Sequence, residues 1–190
     1  MNDSPSRGRV KPQDATKSQD PTWRVFYTHA RAEKKSYERL EQAGIQSFLP
    51  TYASFNTWSD RKKRIVQPLF SNYIFAHVNE RDRLRVLQTQ GIAYCVKLGA
   101  RFAELSEKEI QQIKITQQDQ ENIVQWSYSM PQPGETVSVT QGPMKGLKGE
   151  VLRHNGASYV VIRLESIRQA VRVLVPADWI VRVSERMENA

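Results

Sequence analysis

Three histidines and one cysteine are the side chains best suited to nucleophilic or metal chemistry near neutral pH in this 190-residue sequence. Their spacing gives them no common site. His29, His77 and His154 are scattered, none falls in an H-x-x-x-H or H-E-x-x-H pattern, and the single Cys95 excludes a C-x-x-C pair. No G-x-S-x-G turn, P-loop or G-x-G-x-x-G is present. Glu107 and Glu109 form a carboxylate pair, but in a helix's first turn such charges are explained by the favourable dipole. The expectation is a protein with no catalytic residues, no metal and no cofactor.

Cationic and aromatic side chains offer more. Arg61, Lys62, Lys63 and Arg64 are four adjacent cations opposed locally only by Asp60. Such a run can follow a phosphate backbone by displacing counterions without reading bases; a solvated loop tip would have the same composition. Arg81, Arg83 and Arg85 form a second basic row, again readable as a solvated helix face. The chain carries a formal charge of +8, and residues 22–117 hold 16 Lys and Arg against 9 Asp and Glu, so nucleic-acid contact is expected there. Tyr27, Phe70 and Tyr73 fall on strands expected to be close in space. Together they could present a partly exposed face to a helix, although core packing is the default for such rings.

The elements that position these residues follow from periodicity. Residues 1–21 have little to bury and read as a disordered leader. "TWRVFYTH" alternates as a strand, and a helix is expected from Ala30 to Ala43, burying Tyr37, Leu40 and Ala43 before Gly44 stops it. "IQSFLPTYASFNTW" and "RIVQPLFSNYIFAHV" are expected as long antiparallel neighbours with Ser59–Arg64 at the hairpin tip. Asn79 can cap a helix from Glu80 to Gln88 that buries Leu84 and Leu87, and "IAYCVKLG" is another strand. Ser106 and Glu109 make a capping box before a helix that buries Ile110 and Ile113.

The order β-α-β-β-α-β plus a terminal helix predicts a ferredoxin-like α/β sandwich over 22–117, within an α+β chain. Residues 118–135, polar and glutamine-rich with two prolines, read as a flexible linker. Residues 136–183 carry several β-branched strands and an Asn155-Gly156 turn, predicting a small five-stranded SH3-like barrel before a tail at 184–190. In that region Gly142 and Pro143 supply a turn and Gly146 a reversal, while Gly149 permits a bend or close approach to another backbone. Cys95 reads as a buried thiol in a reducing cytoplasm, and the sequence shows neither a secretory signal nor a bilayer-spanning run.

From Trp23 to about Thr116 the chain resembles the N-terminal (NGN) domain of NusG-type transcription elongation factors, through "WSDRKK" and "PLFSNYIF". Residues 136–183 resemble a KOW domain, with Gly134, Val137, Val139, Gly142, Pro143, Gly146, Gly149 and Val151 in the expected order. "PLFSNYIF" is similar to the pattern of RfaH-type factors. "AEKKSYERLEQAGIQSFLPTY" is similar to the UpxY-type antiterminators of capsule operons.

The resemblance implies that Tyr27, Phe70 and Tyr73 bind the clamp helices of RNA polymerase's largest subunit, and that Arg61–Arg64 face DNA of the transcription bubble. It further implies a KOW contact with Rho or a small-subunit ribosomal protein, and operon-specific antitermination by a monomer with no membrane attachment. Two departures stand out: Ser71 occupies the usual proline position, and "ERDRLRVLQ" replaces a His-Thr-Thr element whose contacts do not transfer. There Arg81, Arg83 and Arg85 would act by charge. The β-branched density of "SYVVIRL" and "AVRVLVP" favours a stable barrel over a switch to helix. The alternative readings are the general NusG elongation factor and a ribosome-associated RNA-binding KOW protein.

Overall fold

The computed structural model describes residues 20–58, 61–119, 122–126, 134–154 and 156–183, without the side chains of 55–58, 61–63 and 124–126. Most of the expected leader, the tail and Asn155 lie outside these residues.

Strand β1 (Thr22–Thr28) is the centre of the first sheet and is buried on both sides. Its period of two therefore sorts side chains between two cores, since successive residues point to opposite faces. Trp23 and Val25 join Phe75, Leu105, Ile110 and Ile113, whereas Phe26 joins Leu40, Ile74, Val86, Ile92 and Cys95. Helix α1 (Glu33–Gln42) begins later than expected because Ala30 and Arg31 form a turn, with Arg31 at φ 60°. Its buried stripe is Glu33, Ser36 and Leu40; Tyr37 lies half-buried at the margin and Ala43 is exposed beyond the helix.

The two long expected strands are each divided. The first becomes β2 (Ser47–Phe48) and β3 (Thr51–Trp58); the second becomes β4 (Arg61–Pro68) and β5 (Tyr73–Val78). Pro50 and Pro68 lack backbone donors at the two breaks, and Asn72 turns the chain with φ 66°. The expected antiparallel pairing holds on both sides of the breaks. β2 pairs with β5 in the main sheet, while β3 and β4 pair only with each other.

Helix α2 (Glu80–Leu87) starts where Asn79 Oδ1 accepts the Asp82 N–H at 2.9 Å. It buries Val86 and half-buries Leu87, leaving Leu84 51% exposed, so the apolar stripe is rotated from the expected one. The expected strand "IAYCVKLG" breaks at Val96 into β6 (Ile92–Cys95) and β7 (Lys97–Leu98). β7 pairs with β8 (Arg101–Phe102), after which β9 (Glu104–Leu105) returns to β1. The main sheet thus runs β2-β5-β1-β6, with β9 also on β1. Helix α3 (Glu107–Thr116) carries the Ser106–Glu109 capping box and buries Ile110 and Ile113.

A second antiparallel sheet contains β10 (Ile123–Trp126), β11 (Thr136–Val139), β12 (Lys148–His154), β13 (Ala157–Leu164), β14 (Gln169–Leu174) and β15 (Ile180–Arg182), in the order β10-β14-β13-β12-β11-β15. Residues 136–183 supply five of these strands, and a sixth joins them from outside that range. The extra one, β10, comes from the stretch read as a linker and pairs residue by residue with β14. Its Ile123 is 5% exposed, which gives this short apolar run something to bury.

Gly149 lies where β12 crosses β13; a Cβ there would sit 2.4 Å from the Val161 carbonyl oxygen. Gly142, at φ 72°, is packed under the Trp179 ring. α3 connects the two sheets: Ile110 and Ile113 share an apolar cluster with Val160 and Ile162, and Gln112 Oε1 accepts the Lys148 N–H. Among the described residues no helix is long and apolar enough to cross a membrane.

Candidate functional site

Strand pairing builds an aromatic row. Tyr27 on β1 is the direct partner of Tyr73 on β5 and of Tyr94 on β6, and directly opposed residues share a face of a sheet. Tyr27 and Tyr73 meet edge to face with ring centroids 5.3 Å apart, while Tyr27 and Tyr94 stack at 5.0 Å with 10° between their planes. Tyr27 and Tyr73 are half-buried, and Tyr94 is 51% exposed.

Phe70 does not join this row. It is 2% exposed and packs edge-on against Phe75 at 5.8 Å, so its ring belongs to the core beneath. The Leu69–Asn72 turn aims the chain inward at Phe70 and back outward at Tyr73. That turn is held by α1, because the buried Glu33 carboxylate accepts the Asn72 N–H at 2.9 Å. The Thr28 N–H donates to the Asn72 carbonyl at 2.8 Å from the other side.

Sequence reasoning missed Tyr94. A bulge between Tyr27 and Thr28 sets its place opposite Tyr27. Strand alternation alone does not reveal a bulge; the available signal was a tyrosine in an otherwise small and aliphatic strand.

The basic run begins β4, with Arg61 opposite Trp58, Lys62 opposite Thr57, Lys63 opposite Asn56 and Arg64 opposite Phe55. Arg64 is exposed; the side chains of the other three are outside the described residues. The base of this ribbon is fixed at three points. Leu69 N–H donates to the Pro50 carbonyl at 2.8 Å, Thr51 N–H to Gln117 Oε1 at 2.8 Å, and Lys34 Nζ to the Val66 carbonyl at 2.7 Å.

The second basic row does not survive as a row of free cations. Arg83 donates to Glu80 Oε1 and lies over the Phe102 ring at 4.5 Å. Arg24, only 7% exposed, donates to Glu80 Oε2 at 2.8 Å and also faces Phe102. The Arg83 hydrogen bonds, with those from Arg24, hold the Glu80 carboxyl down to about 2 despite the opposing effect of burial. Arg85 bonds to Asp82 at 2.8 Å and to the Ala43 carbonyl at 3.1 Å. Only Arg81 is exposed without an ion pair among the described residues of this row. The physical reason is spacing: residues three apart on a helix are neighbours, so Glu80 and Asp82 meet Arg83 and Arg85.

Cys95 is 7% exposed, and burial pushes its thiol up to about 11, with Arg24 and Arg83 acting in the opposite direction. At neutral pH it is a protonated core side chain. His77 lies against Trp23 at 5.2 Å, whereas His29, just after β1, and His154, at the end of β12, are exposed. No group of three His, Cys, Asp or Glu side chains arranged for a metal occurs among the described residues. In the second sheet, a cleft of about 390 Å³ is lined by residues including Pro143, Met144, Leu174, Pro176 and Trp179.

The first-sheet features lie in a segment with a family signature: residues 21–114 match the model described as transcription termination factor nusG. Over these residues the chain is similar to the NusG family. The structure of Thermotoga maritima NusG, described under domain interaction, is 15% identical and covers 86% of this chain and 98% of its own at a TM-score of 0.52. At that identity the likeness is one of fold. The MjSpt4:Spt5 complex is 16% identical over 86% of this chain and 97% of that one, but its TM-score of 0.27 supports no structural argument. The tyrosine row, the basic ribbon and the Arg24–Glu80–Arg83 network all lie within residues 21–114, the stretch that matches this model.

Proposed function

We propose that the protein is an operon-specific transcription antiterminator that binds the clamp helices of RNA polymerase through the tyrosine face of its NusG-family domain. The observation that carries this reading is the Tyr27–Tyr73 pair, two interlocked, half-exposed rings on adjacent strands with a phenylalanine core beneath them. Such a surface is pre-ordered and loses little conformational freedom when a helix docks on it. Phe70 acts from below, supporting the turn that presents Tyr73.

Binding suppresses pausing and termination by differential affinity: a factor that grips the closed clamp more tightly than the open one shifts the population towards continued elongation. No residue carries a chemical step. The basic ribbon at Arg61–Arg64 lies against DNA of the transcription bubble. The second sheet is a stable KOW domain whose partner is Rho or a small-subunit ribosomal protein. The similarity of "PLFSNYIF" and "WSDRKK" to specialised factors supports action at long, capsule-type polysaccharide operons in the cytoplasm.

Tyr73→Ala tests the reading. Its affinity for an isolated clamp-helix hairpin should fall at least about tenfold, as for an interface anchor, with the melting temperature of the chain little changed. Wild-type affinity in this variant would overturn the assignment.

A further inference from the structure

We propose that Tyr94 is a third partner-contact residue, and that the row Tyr73–Tyr27–Tyr94 receives the width of one α-helix lying along β1. The inference rests on the clamp-helix reading and specifies its contact surface.

Three observations carry it. Tyr94 stands on β6, at the end of the main sheet's strand order, and is 51% exposed, although a tyrosine ring is costly to leave half in water. The ring is also held in place: it stacks on Tyr27 with 10° between their planes, while Tyr73 braces Tyr27 from the other side. Finally, among the described residues neither the Tyr27 nor the Tyr94 hydroxyl has a hydrogen-bond partner within the chain.

The dimensions fit a helix. Centroid separations of 5.3 and 5.0 Å make a row about 10 Å wide across the strands, close to the diameter of an α-helix with its side chains, about 10–12 Å. A helix running along β1 would therefore meet all three rings at once. Two rings alone would leave one flank of that helix without a partner surface. Tyr94 contributes through its ring, which the stack on Tyr27 holds in place at the end of the row.

The test uses the full chain and the isolated clamp-helix hairpin of the polymerase's largest subunit, with affinity measured by calorimetry. Tyr94→Ala should weaken binding about 10- to 30-fold, in the range of interface anchors, while Tyr94→Phe stays within about threefold of wild type. The melting temperature reports folding in parallel. If Tyr94→Ala fails to fold, Tyr94→Leu decides, since it keeps an apolar strand residue but lacks the flat ring; it should show the same loss. Wild-type affinity in Tyr94→Ala or in a folded Tyr94→Leu, alongside lost affinity in Tyr73→Ala, overturns the role of Tyr94 and leaves the clamp-helix reading intact. No binding by the wild-type chain overturns both.

Discussion

Glu80 holds two arginines at once, and its ionisation controls both contacts. Its folded pKa of about 2 lies below the ordinary value of 4.5, so the stabilisation is fully present above about pH 4.5 and is lost as pH falls towards 2. The expected outcome is a melting temperature that drops across that window in the wild-type chain. Glu80→Gln should melt lower at neutral pH, because the buried Arg24 loses its charged partner, and should show a flatter decline under acid. Thermal melts from pH 6 to 2 check both; parallel curves would remove Glu80 from the account. The sequence shows Glu80 three residues before Arg83, a spacing that forecasts their pairing. It does not show Arg24 or Phe102, which reach the same place through strand pairing and the β7–β8 hairpin. The tyrosines follow the same rule: Tyr27 and Tyr73 were legible as neighbours, while the burial of Phe70 depended on the direction of one turn.

At the level of elements, the β3–β4 ribbon is a projection with a fixed base. Its eight paired positions, seven steps of about 3.3 Å, place the Trp58–Arg61 end roughly 23 Å from the Thr51–Pro68 base. Charge on such an arm can act far from the tyrosine face. Reversing Arg61, Lys62, Lys63 and Arg64 to glutamate should weaken engagement of DNA-containing elongation complexes, with a shallower salt dependence than wild type, while affinity for the clamp-helix hairpin persists. Equal losses in the two assays would contradict the separation of roles. The polar run between two apolar stretches made the hairpin legible in the sequence. Its separation from the main sheet was not, because that depends on the breaks at Leu49-Pro50 and Leu69–Asn72, where prolines remove donors and Asn72 takes a left-handed backbone. The α2 stripe was misjudged for a related reason: Leu84 and Leu87 suggested an apolar face, but the docked face of this short helix is set by Val86 and the Arg83 network.

Across the whole molecule, β10 ties the chain after α3 into the second sheet. Ile123 and Val124 were hidden by their glutamine-rich surroundings, and a composition-based reading assigns such a stretch to a linker. If β10 is an integral edge strand, a fragment spanning 118–190 should unfold at higher urea than one spanning 134–190, with a larger m-value from the additional buried surface. Identical midpoints would show that the pairing adds no stability. Gly149, by contrast, was legible as a close-approach site, because removing a side chain is the local way to let backbones crowd.

The central position of β1 has a consequence in time. It leaves the ribosome before every strand it pairs with: β5, β6 and β9 follow later, the last of them with Trp23 and Leu105 separated by 82 residues. At about 5–20 residues per second, synthesis leaves β1 without its full set of neighbours for roughly 4–16 s. During that interval Trp23, Val25 and Phe26 have no completed core to enter, which leaves β1 open to chaperones until β9 is made.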